Sequence, residues 1–326
     1  MRARPPRSCT VASLAALAAV PSAALAHGPE EAPTLATAWS LSPWFLVPAL
    51  ALLALYLLGL GRLWRRAGPG RGVSPVEATA FAAGVLALFL AAVWPLDAYG
   101  EWSLAAHMGQ HMLLLAFAPP LLLAGRPMAG IAHALPRAWS GPLHRAVAGV
   151  HARAVAGLAP ATAAQAAVMG LWHLPAATAA ALADDGVHWL MHGSFLLAGL
   201  WFWAALWHRV REPSAGVGPA LVAIVVVMMQ MGFVGALLTF SRRALYPVYA
   251  ERAPVLGLEV LADQQLAGLI MWVPAALPYL IGGLWLMRQG LQRAERRQAG
   301  ADVQAAKALD ADQRGNSGQD IGKSGK

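Results

Sequence analysis

Seven long apolar runs, separated by short segments in which the arginines gather, dictate what this chain can become. A helix needs about 20 mostly apolar residues to cross a hydrocarbon core about 30 Å thick. Inside that core every backbone polar group must be satisfied by the segment itself, which leaves helices as the solution for runs of this length. The runs fall at roughly residues 43–60, 76–94, 103–124, 155–174, 187–208, 217–239 and 264–287. Prolines sit at many of their ends (Pro43, Pro75, Pro95, Pro175, Pro213), where a missing backbone donor does least harm. With 58% hydrophobic and 12% charged residues, the composition excludes a soluble domain. It predicts an all-α integral membrane protein, a seven-transmembrane helix bundle.

A secretory signal is expected over residues 1–26. Arg2, Arg4 and Arg7 form a basic start, an apolar stretch follows, and Ala24-Leu25-Ala26 is a cleavage-type sequence. The alternative, an uncleaved first span, leaves the downstream topology unchanged. Residues 27–42 then form an outer segment, 43–288 the membrane domain, and 289–326 a cytoplasmic, largely disordered tail. The sole cysteine, Cys9, lies within the signal, so the mature chain holds no thiolate ligand.

Arginine placement sets the orientation. The segment at 61–73 carries Arg62, Arg65, Arg66 and Arg71, and that at 125–154 carries Arg126, Arg137, Arg145 and Arg153. Arg209 and Arg211 follow span five, and eight basic residues lie from Arg288 onward. Segments 27–42, 95–102 and 175–186 contain no Lys or Arg, while 240–262 breaks the pattern with Arg242, Arg243 and Arg252. The mature N-terminus is therefore expected outside and the C-terminus inside. The net charge of +8 is a topology signal and implies no nucleic-acid partner.

On this topology five histidines fall in one outer layer. His107 and His111 open span three, His173 ends span four, and His188 and His192 open span five. Ionisable side chains in spans are costly and mark function. A four-residue spacing puts both rings of a pair on one helix face. Asp263, Gln264 and Gln265 begin span seven at the same level, and Gln110 lies between the first pair. His133, His144 and His151 read as solvated loop residues, with an interfacial helix expected around 138–151.

Two readings fit the layer. One is a hydrogen-bonded polar network tying helices together. The other, favoured by the density of imidazoles, is a metal or cofactor site. Histidines without thiolates suit Cu, Zn, Fe or Ni, and the nearby Met108, Met112, Met191 and Met271 tilt the choice toward Cu(I). Methionine is also ordinary apolar filler, the reading given to Met228, Met229 and Met231. Cleavage after Ala26 would expose His27, whose amino group and imidazole can chelate one ion. A haem b reading takes one axial histidine from each pair, and a copper transporter would need ligands at several depths. No hydrolase triad, phosphate loop or dinucleotide fingerprint is apparent, so an enzyme is not expected.

The stretches HMGQHMLLLAFAPPLLLAGRP (107–127), WHLP (172–175), HWLMH (188–192) and DQQLAGLIMWVP (263–274) together resemble the membrane-integral CtaG family, assembly factors of caa3-type cytochrome c oxidase. The resemblance spans about residues 40–288. It implies a multi-pass protein of the bacterial cytoplasmic membrane that matures a haem–copper oxidase by aiding copper delivery to an oxidase subunit, with a soluble copper donor as a further partner. Carried over, the family's histidines are His107, His111, His173, His188 and His192, with Asp263, Gln264 and Gln265 as outer supports. Two positions depart from the expected pattern: Thr178-Ala179 stands where a Tyr-Asp pair is expected, and Met191 where Glu is.

Overall fold

A computed structural model describes residues 32–136, 157–211 and 216–323, with positions 141, 149 and 155 between them. The expected signal and His27 lie outside the described residues, as does the interfacial helix around 138–151 but for two isolated positions. In chain order the helices are α1 (Pro43–Ala67), α2 (Pro75–Ala92), α3 (Leu96–Gly100), α4 (Leu104–Met112), α5 (Ala118–Ala124), α6 (Pro127–Ala134), α7 (Leu158–Trp172), α8 (Pro175–Ala183), α9 (Asp185–Arg211), α10 (Gly218–Phe240), α11 (Val260–Trp272) and α12 (Ala276–Lys323). Every regular element among the described residues is helical.

Five stretches are long and apolar enough to cross a membrane: α1, α2, α9, α10 and the run from Val260 to Lys307. Two bent pairs bring the number to as many as seven. The first bends by 57° between Ala124 and Pro127, the second by 75° between Trp172 and Pro175. Each bend has a chemical cause. Arg126 takes a left-handed conformation (φ 51°) directly before Pro127, and Leu174 is extended because a following proline disfavours the helical region. Thr178 Oγ1 donates to the carbonyls of Trp172 and Leu174 at 3.0 and 3.3 Å, tying down the second bend. The segment after span four is therefore largely the Ala-rich helix α8.

Span three is not uniform. Between α4 and α5 a π-helical turn occupies Leu113–Phe117, just ahead of Pro119 and Pro120. Helix α9 reaches this turn closely because Gly199 lacks a side chain; a Cβ there would stand 2.7 Å from the Leu115 carbonyl oxygen. Helices α10 and α11 meet through Gly235 and Gly268, where a Cβ on Gly235 would lie 2.8 Å from the Gly268 carbonyl. Such small-residue contacts let membrane helices approach where no hydrophobic drive exists between them.

The main apolar cluster joins α4, the π turn, α7, α9, α10, α11 and α12, and includes Met108, Met112, Met191, Met231 and Met271. A second cluster, Tyr56, Leu60, Leu63, Val73 and Phe81, joins α1 to α2. The outer surface is apolar, with Leu50, Leu57, Leu197, Val222, Phe233 and Ile281 all exposed. These faces suit lipid and make the chain a multi-pass membrane protein. Helix α12 continues to Lys323, through most of the 289–326 segment expected to be largely disordered. Between 294 and 309 it is rich in Ala, Gln, Arg and Lys, which favour helix.

Candidate metal centre

The five histidines named from the sequence converge at one end of the bundle, because α4 and α9 carry theirs near their starts and α7 ends at His173. His107 and His111 are fully buried (0% exposed), and His173 and His192 nearly so. The His111 ring is the hub: its centroid lies 4.3 Å from His107, 5.5 Å from His173 and 6.2 Å from His192. His192 is in turn 4.2 Å from His188. Phe195 packs against His111 at 4.3 Å and closes the apolar side of the cluster.

A sixth group completes it. Asp97, on the short α3, lies 2.9 Å from His188 Nε2 and 3.8 Å from His192 Nδ1 through its Oδ1. Ligand atoms of Asp97, His188 and His192 all lie within 4.8 Å of one another, close enough to share one ion. Gln110 Nε2 donates to Asp97 Oδ1 at 2.6 Å and to the Ala91 carbonyl at 2.8 Å, so Gln110 reaches the cluster through Asp97. Burial alone would raise the Asp97 pKa. The hydrogen bond and charge of His188, the charge of His192 and a hydrogen bond from Ser40 outweigh that and hold it down at about 2. The histidines beside it thus favour the carboxylate form of Asp97.

The polar balance of this cluster is unusual. Seven of the eight ring nitrogens of His107, His111, His173 and His192 are buried without a hydrogen-bond partner, as is Gln110 Oε1. A buried polar atom left unpaired costs about 1–3 kcal/mol, and native structures keep few of them. The eighth nitrogen, His173 Nδ1, lies 2.6 Å from the Met169 carbonyl. A carbonyl only accepts, so Nδ1 carries the proton and Nε2 presents a bare lone pair. That tautomer is the one a metal-ligating histidine adopts when its other nitrogen is anchored to a carbonyl. The donor set therefore fits a metal ion.

The DQQ residues act at a distance from the rings. Asp263 accepts from Ser103 Oγ at 2.6 Å and from the backbone of Leu104 and Ala105 at 2.7 and 3.3 Å, capping α4 from a different helix. Gln264 Oε1 accepts from Leu245 N at 2.6 Å and its Nε2 donates to the carbonyls of Leu238 and Arg243, bracing the chain between α10 and α11. Gln265 is half-buried, and its carbonyl meets Thr239 Oγ1. Met108 and Met112 sit in the apolar core. His133 is exposed on α6, bonded to the carbonyl four residues before it.

Residues 241–259 fold over the cluster. Tyr246 donates to the His173 carbonyl at 2.6 Å, Tyr249 to the Gly100 carbonyl at 2.8 Å, and Arg252 Nη1 to the Glu101 carbonyl at 2.9 Å. Burial pushes the Tyr246 phenol up to about 12 and raises that of Tyr249 well above its ordinary value, which favours both as protonated donors. Sequence reasoning passed over Asp97, Ser103, Tyr246 and Tyr249. The one available hint was that 95–102 pairs acidic residues with no basic ones beside a histidine-bearing span.

Fold and site together define a polytopic helical membrane protein with a buried histidine–aspartate cluster at one end. The family model described as cytochrome c oxidase caa3 assembly factor (Caa3_CtaG) matches residues 54–293, and the chain belongs to that family. Comparison with curated proteins and with solved structures finds no match.

Proposed function

We propose that this assembly factor holds copper at its histidine cluster, on the outer side of the bacterial cytoplasmic membrane, and passes it to a haem–copper oxidase subunit. The observation that carries the reading is the set of seven unpartnered imidazole nitrogens in one buried cluster. Imidazoles suit copper, and with no thiol beyond Cys9 the chain offers no closed thiolate cage. A donor needs ligands that exchange, which a histidine set near the aqueous boundary supplies. Copper is cargo in this reading, and the role is not enzymatic. Seven spans with the N-terminus outside put the cluster on the outer face, since α4 and α9 enter the membrane there and α7 ends there.

The test is elemental analysis of the purified protein beside its His107→Ala/His111→Ala variant, with copper content of the oxidase measured in cells carrying each. Copper bound in the wild type and clearly reduced in the variant, together with a copper-poor oxidase, is the expected result. Iron with a Soret band would replace copper by haem. A variant that supports full oxidase copper would overturn the reading.

A further inference from the structure

The six groups of the cluster do not form one coordination sphere, and their arrangement divides in two. Asp97, His188 and His192 are already drawn together within 4.8 Å. On the other side of the His111–His192 contact, at 6.2 Å, stand His111, His107 and His173. We infer that the cluster is two adjacent metal stations: a mixed carboxylate–imidazole one at Asp97, His188 and His192, and an all-imidazole one at His107, His111 and His173. This rests on the copper-holding reading and deepens it.

Three observations separate the stations. The first is chemistry. A carboxylate with two imidazoles is a nitrogen–oxygen set that favours a divalent ion, whereas neutral imidazoles alone accept the softer Cu(I). The second is access: His188 remains 11% exposed at its side chain, while His107 and His111 are sealed. The third is the count of lone pairs. His107, His111 and His173 bring five unpartnered nitrogens, of which three, one per neutral ring, carry a lone pair that no ion held between Asp97 and His188 would satisfy.

The inner trio has to draw its ring nitrogens together to close on an ion, since among the described residues only Asp97, His188 and His192 already bring their ligand atoms within 4.8 Å of one another. Two imidazoles bound to one metal at about 2.0–2.1 Å place their centroids roughly 5–6 Å apart, and His111 already lies 4.3 and 5.5 Å from its two partners. Gly100 packs closely against this side, where a Cβ would crowd Gln110 Oε1 at 3.2 Å and stand 3.5 Å from His107 Nδ1. Both of those atoms lack a partner.

The experiment loads the full-length protein in detergent with copper(II) alone, or with copper(I) under a reductant. The readouts are the EPR signal of the first and the bound stoichiometry of the second after competition with a chelator. Asp97→Asn should abolish the copper(II) signal, with its two-nitrogen hyperfine pattern, and leave one copper(I) per chain. His107→Ala/His173→Ala should do the reverse. His188→Ala repeats the first arm should Asp97→Asn fail to accumulate. Loss of both ions in both variants means one shared centre, which overturns the two-station inference while the copper-holding reading stands. An Asp97→Asn protein that keeps both ions overturns it equally. Wild-type protein that takes up neither ion removes both readings.

Discussion

Ser103 Oγ donates to Asp263 Oδ1 at 2.6 Å across 160 residues of chain, and through that contact the start of α11 fixes the start of α4. Ser103 also caps its own helix, accepting from Ala106 N at 3.2 Å. The first turn of the helix carrying His107 and His111 is thus held by a side chain from elsewhere in the bundle.

Asp263→Ala should therefore act on the cluster without touching it. It leaves Ser103 Oγ and the Leu104 and Ala105 amides short of their acceptor in a buried place, at about 1–3 kcal/mol for each such group. The expected outcome is a clearly lower thermal midpoint in detergent, accompanied by weaker copper retention. Asp263→Asn keeps one acceptor oxygen and should fall between. A midpoint equal to wild type in the alanine variant would show that α4 is held by other means.

His111 is the ring that touches three others, so its loss should matter most. His111→Ala should reduce retained copper(I) by at least tenfold in chelator competition, while His133→Ala, on an exposed turn of α6, should leave it unchanged. Equal retention in both variants would remove His111 from the site.

How much of this was visible in the chain differs by element. That the chain is a helical protein with several membrane-length spans was legible because lipid imposes a length and a composition, and the meeting of the five histidines was legible from their places near the ends of those apolar runs. The bend after Trp172 was half legible: Pro175 marks a break, but the 75° turn depends on Thr178 reaching back to two carbonyls. Asp97 was not legible as part of the site. It sits on a five-residue helix whose position depends on Gln110, Ser40 and His188, none of them at a telling distance from it in sequence. Asp263 was seen as part of the motif, yet only the packing of α10 on α11 reveals that it serves a helix start.

That packing gives the next prediction. Gly268→Val would drive side-chain atoms into the Gly235 carbonyl and Thr239, where overpacking costs typically about 1–3 kcal/mol and more against backbone. Membrane accumulation should fall, and α11 should lose its register with α4. Gly61→Ala on α1 is the control: nothing lies within 4 Å of its new Cβ, and the helix should gain up to about 1 kcal/mol. Equal accumulation of the two variants would mean that the α10–α11 contact tolerates a side chain.

Orientation can be read with single cysteines, since Cys9 is the chain's only one. In a Cys9→Ser background, Arg243→Cys lies exposed on the segment over the cluster and Arg66→Cys lies exposed at the end of α1. An impermeant maleimide should label the first in intact cells and the second only after permeabilisation. The opposite pattern would move the histidine cluster to the cytoplasmic side and with it the proposed route of copper delivery.

The segment covering the cluster should govern exchange rather than capacity. Tyr246 and Tyr249 contribute one hydrogen bond each, to the backbone carbonyls of His173 and Gly100, and neither hydroxyl is a ligand candidate. Tyr246→Phe/Tyr249→Phe keeps the packed rings and removes about 0.5–1.5 kcal/mol per bond. The cover then opens more often, by roughly fivefold to a hundredfold if both bonds act together. Copper bound at saturation should stay at the wild-type level, while its transfer to an external chelator quickens by that factor. Unchanged transfer would place the exchange route away from residues 241–259, and lost capacity would make the tyrosines part of the site itself.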